Sequence, residues 1–263
     1  MEFVAFVPAH FPERFSWLAD SLPTLAERVD RVVVVASYAA PGPVPDGVEW
    51  HHVPEATPTG RKYRYAVGLA HAGDVIGIMD DDDTWLPEKA EAVRRAFDYP
   101  RVGLFAHAAH VSRDGRYVME LPSSTPNGSM MVFRRDMMMS PRVLPYFDRL
   151  EWGADSFLRY APLAASWDVV ETEVPLAVVR YHEDNSSHVR ATGYREFDRW
   201  QRTIALRYLR AWNLIDEMTT GLREGWGTEG EGEVERKVAE FDRLYRMGAP
   251  RSLLHYLAAK VRR

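Results

Sequence analysis

The chain has no cysteine among its 263 residues. That excludes disulfides, thiolate nucleophiles and cysteine-ligated zinc, and it suits a reducing compartment. It also lacks a basic excess: the formal net charge is −5, so nucleic-acid binding, which calls for a cationic face, has no support. Anionic substrates stay open, because a bound cation inverts the local field. No apolar run approaches the ~20 residues of a membrane span. Met1-Glu2 leads straight into Phe3-Val4-Ala5-Phe6-Val7-Pro8 with no basic region ahead of it. The expectation is therefore no signal peptide and a cytoplasmic protein.

What is present is the pattern of an α/β layer fold. Hydrophobic residues make up 46% of the chain and charged ones 27%, enough for one large domain, alone or with an appendage. Strand signals at Phe3 to Val7, at the four valines of Arg31 to Ala36, and at Val75 to Met79 alternate with helical spacing. The helices expected are Pro12 to Arg28, kinked or restarted near Pro23, then Thr59 to Ala72 and Pro87 to Phe97. Tyr38 to Gly47, rich in proline and glycine, reads as loop. Val102 to Ser112 and Arg116 to Met119 read as a hairpin turning at Arg113-Asp114-Gly115. Further on, Ser129 to Phe133 reads as strand, Ala154 to Ala164 as helix, and Asp168 to His182 as two strands broken near Pro175. From Tyr194 the pattern is helical, with a Gly/Glu-rich hinge at Gly221 to Gly232. Alternating strand and helix predict a mostly parallel sheet flanked by helices, followed by a helical extension.

The sharpest chemical signal is Asp80-Asp81-Asp82-Asp83, which directly follows the buried strand ending at Met79. Adjacent carboxylates repel, so four together require solvent, protons or a cation. Open α/β sheets bind ligands at the carboxyl ends of their strands, where this quartet lies. Extended backbone would put Asp80 and Asp82 on one face and Asp81 and Asp83 on the other. An all-oxygen ligand set suits Mg2+ or Mn2+, which bridge one or two carboxylates to substrate phosphates. Capping of the helix that opens near Pro87 would occupy one or two of the four.

The string Asp80-Asp81-Asp82-Asp83-Thr84-Trp85-Leu86-Pro87-Glu88-Lys89 resembles the D-x-D-D-x-W-x-P-x-K segment of family 2 glycosyltransferases of the GT-A fold, and the resemblance extends over about residues 1–190. It implies a GT-A catalytic domain at 1–190 and a helical extension at 191–263. In that family the first aspartate of the motif contacts the donor ribose and the third binds the metal, which here are Asp80 and Asp82. Asp81 would join Asp80 at the donor, and Asp83 would support the metal. Gly153-Ala154-Asp155-Ser156-Phe157-Leu158-Arg159 resembles the family's E-D-x-x-L-x-x-R stretch, with alanine in place of the glutamate. The resemblance makes Asp155 the general base; a helix cap is the competing role. Tyr181-His182-Glu183-Asp184-Asn185-Ser186-Ser187 resembles a late H-x-x-N-x-S element, which makes His182 a metal or diphosphate contact.

Arg61, Lys62 and Arg64 open a helix behind Thr59-Gly60, a favourable anion position. They match the family's A-R-N region loosely and would hold the diphosphate; a solvated helix face is the alternative. Relatives end the second strand in an aspartate that contacts the nucleobase, whereas this chain has Val35-Ala36-Ser37-Tyr38. The base would then be read by Pro8, Ala9 and His10, with Tyr38 stacking.

The resemblance implies a metal-dependent, inverting transferase moving a sugar from a nucleoside-diphosphate donor, UDP-sugar favoured, to an acceptor hydroxyl. Two other classes remain open. A sugar-phosphate nucleotidyltransferase would want glycines where Pro8-Ala9-His10-Phe11-Pro12 stands, and a non-catalytic carbohydrate- or nucleotide-binding protein is the other. The basic and apolar C-terminal stretch from Tyr245 is expected to pack on its own domain or a second subunit, with peripheral membrane contact as the alternative.

Overall fold

The computed structural model describes residues 1–125, 127–151, 153–182, 214–215 and 217–218. The boundary expected near residue 190, the hinge at 221–232 and the basic stretch from Tyr245 lie outside the described residues, as does nearly all of the helical extension.

One nine-stranded sheet organises these residues. Its strands are β1 (Phe3–Ala9), β2 (Arg31–Ala36), β3 (Val48–His52), β4 (Val75–Ile78), β5 (Thr84–Trp85), β6 (Val102–Arg113), β7 (Arg116–Leu121), β8 (Met131–Arg134) and β9 (Asp168–Arg180). They lie in the order β3-β2-β1-β4-β8-β6-β9-β5, and β7 pairs with β6. The block β3-β2-β1-β4 is parallel. β8 runs antiparallel to both β4 and β6, while β6 and β9 are parallel.

The side-chain alternation of the strands builds two cores, one on each face. In β1, Val4 and Phe6 point one way and Phe3, Ala5 and Val7 the other; β2 divides Val33 and Val35 from Val32 and Val34. A run of valines buried on both faces is what a central parallel strand requires. α1 (Phe15–Ala26) and α3 (Lys89–Phe97) cover one face. α2 (Thr59–Leu69), α4 (Arg135–Met138), α5 (Leu144–Phe147) and α6 (Ala154–Ala165) cover the other. Leu214, Ile215 and Met218 bury into that second core, and Arg149 holds Glu217 through two hydrogen bonds of 2.8 and 2.7 Å. The result is the α/β/α arrangement expected from the sequence.

Three local features differ from that expectation. α1 runs through Pro23 as one helix, and Pro12–Arg14 forms a separate 3-10 turn ahead of it. β9 is one continuous strand rather than two, but its register against β6 shifts on either side of the Ala108–Pro175 pair, where the proline has no N–H to give the ladder. β3 has no counterpart in the sequence pattern, because Glu49, His51 and His52 break the apolar run of an edge strand. The hairpin turns at Asp114 and Gly115, both left-handed (φ 51° and 76°), as a two-residue connection of type I′ demands.

Candidate active site

The quartet sits at the carboxyl end of β4, beside the end of β1. Because β1 and β4 are parallel with Phe6 opposite Ile78, Pro8, Ala9 and His10 reach the same edge of the sheet as Asp80. The backbone does not continue as a strand here. The Asp83 amide donates to the Asp80 carbonyl at 3.1 Å and closes a turn, after which β5 pairs antiparallel with β9. The chain therefore leaves extended backbone here, although Asp81 and Asp83 still part from Asp80 and Asp82 in the contacts they make.

Asp81 and Asp83 are tied into the protein. Asp81 accepts the His10 amide on Oδ2 (3.0 Å) and the Arg14 guanidinium on Oδ1 (3.0 Å). Asp83 accepts the Arg180 amide at 2.9 Å and the Ser129 hydroxyl. The same hydroxyl accepts the Asp80 amide at 2.9 Å, so Ser129 joins the two ends of the turn. One atom of Asp82 is shared: its Oδ2 lies 3.0 Å from His182 Nε2 and 3.0 Å from Arg14 Nη1. The Asp80 carboxylate lies along Gly128, where an added Cβ would meet Oδ1 at 3.0 Å and Oδ2 at 3.4 Å.

Three buried cations surround the quartet. Arg14 is 7% exposed, Lys62 0% and Lys89 1%. Lys89 donates to the Ser129 carbonyl at 2.7 Å and lies 3.9 Å above the Trp85 ring. Burial pulls its pKa well down, against the opposing pull of Asp83 and Asp80. Lys62 donates to the Ala9 carbonyl (2.8 Å) and meets His10 Nδ1 at 2.9 Å. Burial lowers Lys62 to about 8, with Asp81 opposing. Burial and then the Lys62 charge lower His10 to about 4, so Nδ1 is the acceptor and the proton of the neutral ring is on Nε2.

Asp155 enters from the other side, in the first turn of α6, behind Gly153 with its left-handed φ of 71°. Burial raises its carboxyl to about 6, and its own amide moderates the shift. Burial also raises Asp80 well above the carboxylate range, and the charge of Asp155 is the largest contribution from a neighbour. Both acids bear on the buried Tyr63 hydroxyl. Asp155 therefore lies close enough to Asp80 for the two charges to bear on each other.

The other residues singled out in the sequence divide between this edge and the outer surface. Arg61 and Arg64 lie on the outer face of α2 and pair with Asp148; only Lys62 of that trio turns inward. The helical period separates them, since positions 61 and 64 share a face that 62 does not. Pro8 and Ala9 are buried within the β1–β2 ladder, which leaves His10 as the partly exposed member of that group. Tyr38 packs edge-on against Trp50, and its hydroxyl is buried without a partner.

Arg14, Gly128, Ser129 and the role of Lys89 were not identified from the sequence. Lys89 belonged to the quoted motif without an assigned task. Arg14, Gly128 and Ser129 lie 66, 48 and 49 positions from Asp80, and only the folded chain unites them with it.

The donor set at Asp82 suits a divalent ion: an oxygen and an imidazole nitrogen 3.0 Å apart leave further positions for phosphate oxygens and water. The quartet alone does not complete such a site. Among the described residues, three possible ligands come within 4.8 Å of one another at Glu2, His71 and Asp74, on the opposite end of β1 and β4. There both Asp74 oxygens already accept amides, from Glu2 and His71.

No protein-family model matches the sequence, and no curated protein does. Solved structures do match the fold. S. aureus TarS residues 1–349 in complex with UDP aligns with a TM-score of 0.53 and 14% identity, covering 92% of this chain and 80% of that one. The same protein in complex with UDP-GlcNAc aligns at 0.51 and 13%, covering 83% and 72%. At such identities the likeness speaks for architecture, and the chain shares the fold of S. aureus TarS.

Proposed function

We propose that this chain is a glycosyltransferase that moves a sugar from a UDP-sugar to an acceptor hydroxyl with inversion at the anomeric carbon. The observation that carries the reading is the convergence of Asp155 and Asp80 at the carboxyl edge of the parallel strands, the place where open α/β sheets take nucleotides. The UDP and UDP-GlcNAc complexes of a protein with the same fold support the donor class.

In this reading Asp155 takes the proton from the acceptor hydroxyl as its oxygen attacks. A carboxyl raised to about 6 is still ionised at neutral pH and is more basic than an ordinary aspartate. Asp80 receives the donor ribose, and Lys62 supplies fixed positive charge toward the diphosphate from inside the sheet edge. His10 and Tyr38 flank the nucleobase. Asp82 and His182 hold Mn2+ or Mg2+, which when bound neutralises charge on the departing diphosphate. A cysteine-free chain fits a cytoplasmic location, and no helix among the described residues is long and apolar enough to cross a membrane.

Release of UDP from UDP-sugars, measured with and without Mn2+, tests the proposal. Asp155→Asn is expected to lower turnover by about 10²–10⁴-fold, the usual worth of a general base, while leaving UDP affinity within a few-fold. Wild-type rates in Asp155→Asn would remove the base assignment, and release of pyrophosphate instead of UDP would point to nucleotidyl transfer.

A further inference from the structure

One guanidinium nitrogen, Arg14 Nη1, lies 3.0 Å from Asp81 Oδ1 and 3.0 Å from Asp82 Oδ2. The three side chains are 8%, 2% and 7% exposed, so solvent screens this pairing little. Arg14 is held from below as well: it follows Pro12 in the 3-10 turn and covers the Phe11 ring at 4.8 Å. The Asp82 oxygen it takes is the same one that meets His182 Nε2.

A divalent ion on Asp82 Oδ2 and the Arg14 guanidinium on that same atom would place a double and a single positive charge within a few ångströms of each other. Two such charges in a poorly screened pocket repel strongly. Asp81 offers Arg14 a second anchor that no ion needs. A guanidinium carries five N–H donors in a planar fork, so it can keep Asp81 and turn another N–H outward, toward a phosphate oxygen.

Resting on the metal assignment proposed above, we infer that Arg14 is a resident counter-cation that occupies the metal-binding oxygen of Asp82 until the nucleoside diphosphate arrives. It offsets part of the charge of Asp81 and Asp82 in the free protein and competes with Mn2+ for Asp82. The diphosphate relieves that competition by giving both positive charges oxygen partners. The metal and the donor then bind as a coupled pair, with little metal bound beforehand.

Mn2+ binding in the absence of nucleotide tests this, read by electron paramagnetic resonance or calorimetry on the full chain. Arg14→Gln and Arg14→Met should bind Mn2+ about tenfold tighter than wild type, because the competing charge is gone. Arg14→Lys, which keeps the charge, should stay close to wild type. UDP should strengthen Mn2+ binding more in wild type than in Arg14→Gln. A purely structural role gives the opposite sign, with Mn2+ binding weakened as the quartet loosens. If Arg14→Met fails to fold, Arg14→Gln carries the test, since its amide retains a hydrogen bond to Asp81. Equal Mn2+ affinity in wild type and Arg14→Gln would overturn the inference and leave the metal assignment intact. No Mn2+ binding in any sample, with or without UDP, would overturn both.

Discussion

Asp155 is the residue whose environment makes the clearest pH prediction. Its carboxyl is raised to about 6, so the proposed transfer, with Asp155 as its base, should slow as pH drops below that value and the carboxylate becomes protonated. The stability effect runs the other way. Folding favours the protonated form of a carboxyl raised by burial, so its stabilising share is present at low pH and is lost as pH rises through about 6. Asp155→Asn should therefore melt higher than wild type at pH 8 and show little gain at pH 4, measured by thermal unfolding across that range. Lys62 gives a second profile: UDP affinity should weaken as pH passes about 8 and its ammonium discharges. At Gly128, alanine would push a methyl group against the Asp80 carboxylate. Gly128→Ala is expected to weaken UDP binding by about tenfold with a smaller loss of stability, since a misplaced contact of roughly 1 Å costs function first; calorimetry and a melting curve separate the two.

At the scale of elements, the parallel strands were legible because their valines and phenylalanines are buried on both faces and leave an unbroken apolar run. β3 was not, since a polar edge strand carries no such signature. The quartet shows the other limit. Residue types pointed to a ligand site and alternation set Asp80 and Asp82 apart from Asp81 and Asp83, but the partner each acid takes follows from a turn that the Asp83 amide closes, and no spacing rule encodes that. For the same reason Arg61 and Arg64 looked equivalent to Lys62 in sequence, while the helix turned them to Asp148. β4 offers a packing test. An added Cβ at Gly77 would lie 2.5 Å from the Trp85 ring and 2.9 Å from Phe3, two rings that stack at 5.5 Å. Gly77→Ala should cost about 1–3 kcal/mol in denaturant unfolding, the usual penalty of overpacking a core, and should weaken Mn2+ and UDP binding with it, because Trp85 carries Lys89 and through it the Ser129 loop.

Over the whole molecule, two cores sandwich a single sheet, and the parallel half delivers β1 and β4 to one edge while α6 brings Asp155 within electrostatic reach of Asp80. Layer order and the quartet were readable in the chain because both are local patterns. The burial of Arg14, Lys62 and Lys89 around it was not, because charge balance around a site is a property of the folded state. The central claim is that the edge holding Asp80, Asp82 and Asp155 seats a metal-bound nucleoside diphosphate. Diffraction at the manganese edge from crystals soaked in Mn2+ and UDP addresses it most directly. The account predicts an anomalous peak bonded to Asp82, with the diphosphate on its far side and Arg14 withdrawn to Asp81. UDP bound elsewhere, or UDP bound at that edge with no peak and Arg14 still on Asp82, would contradict it.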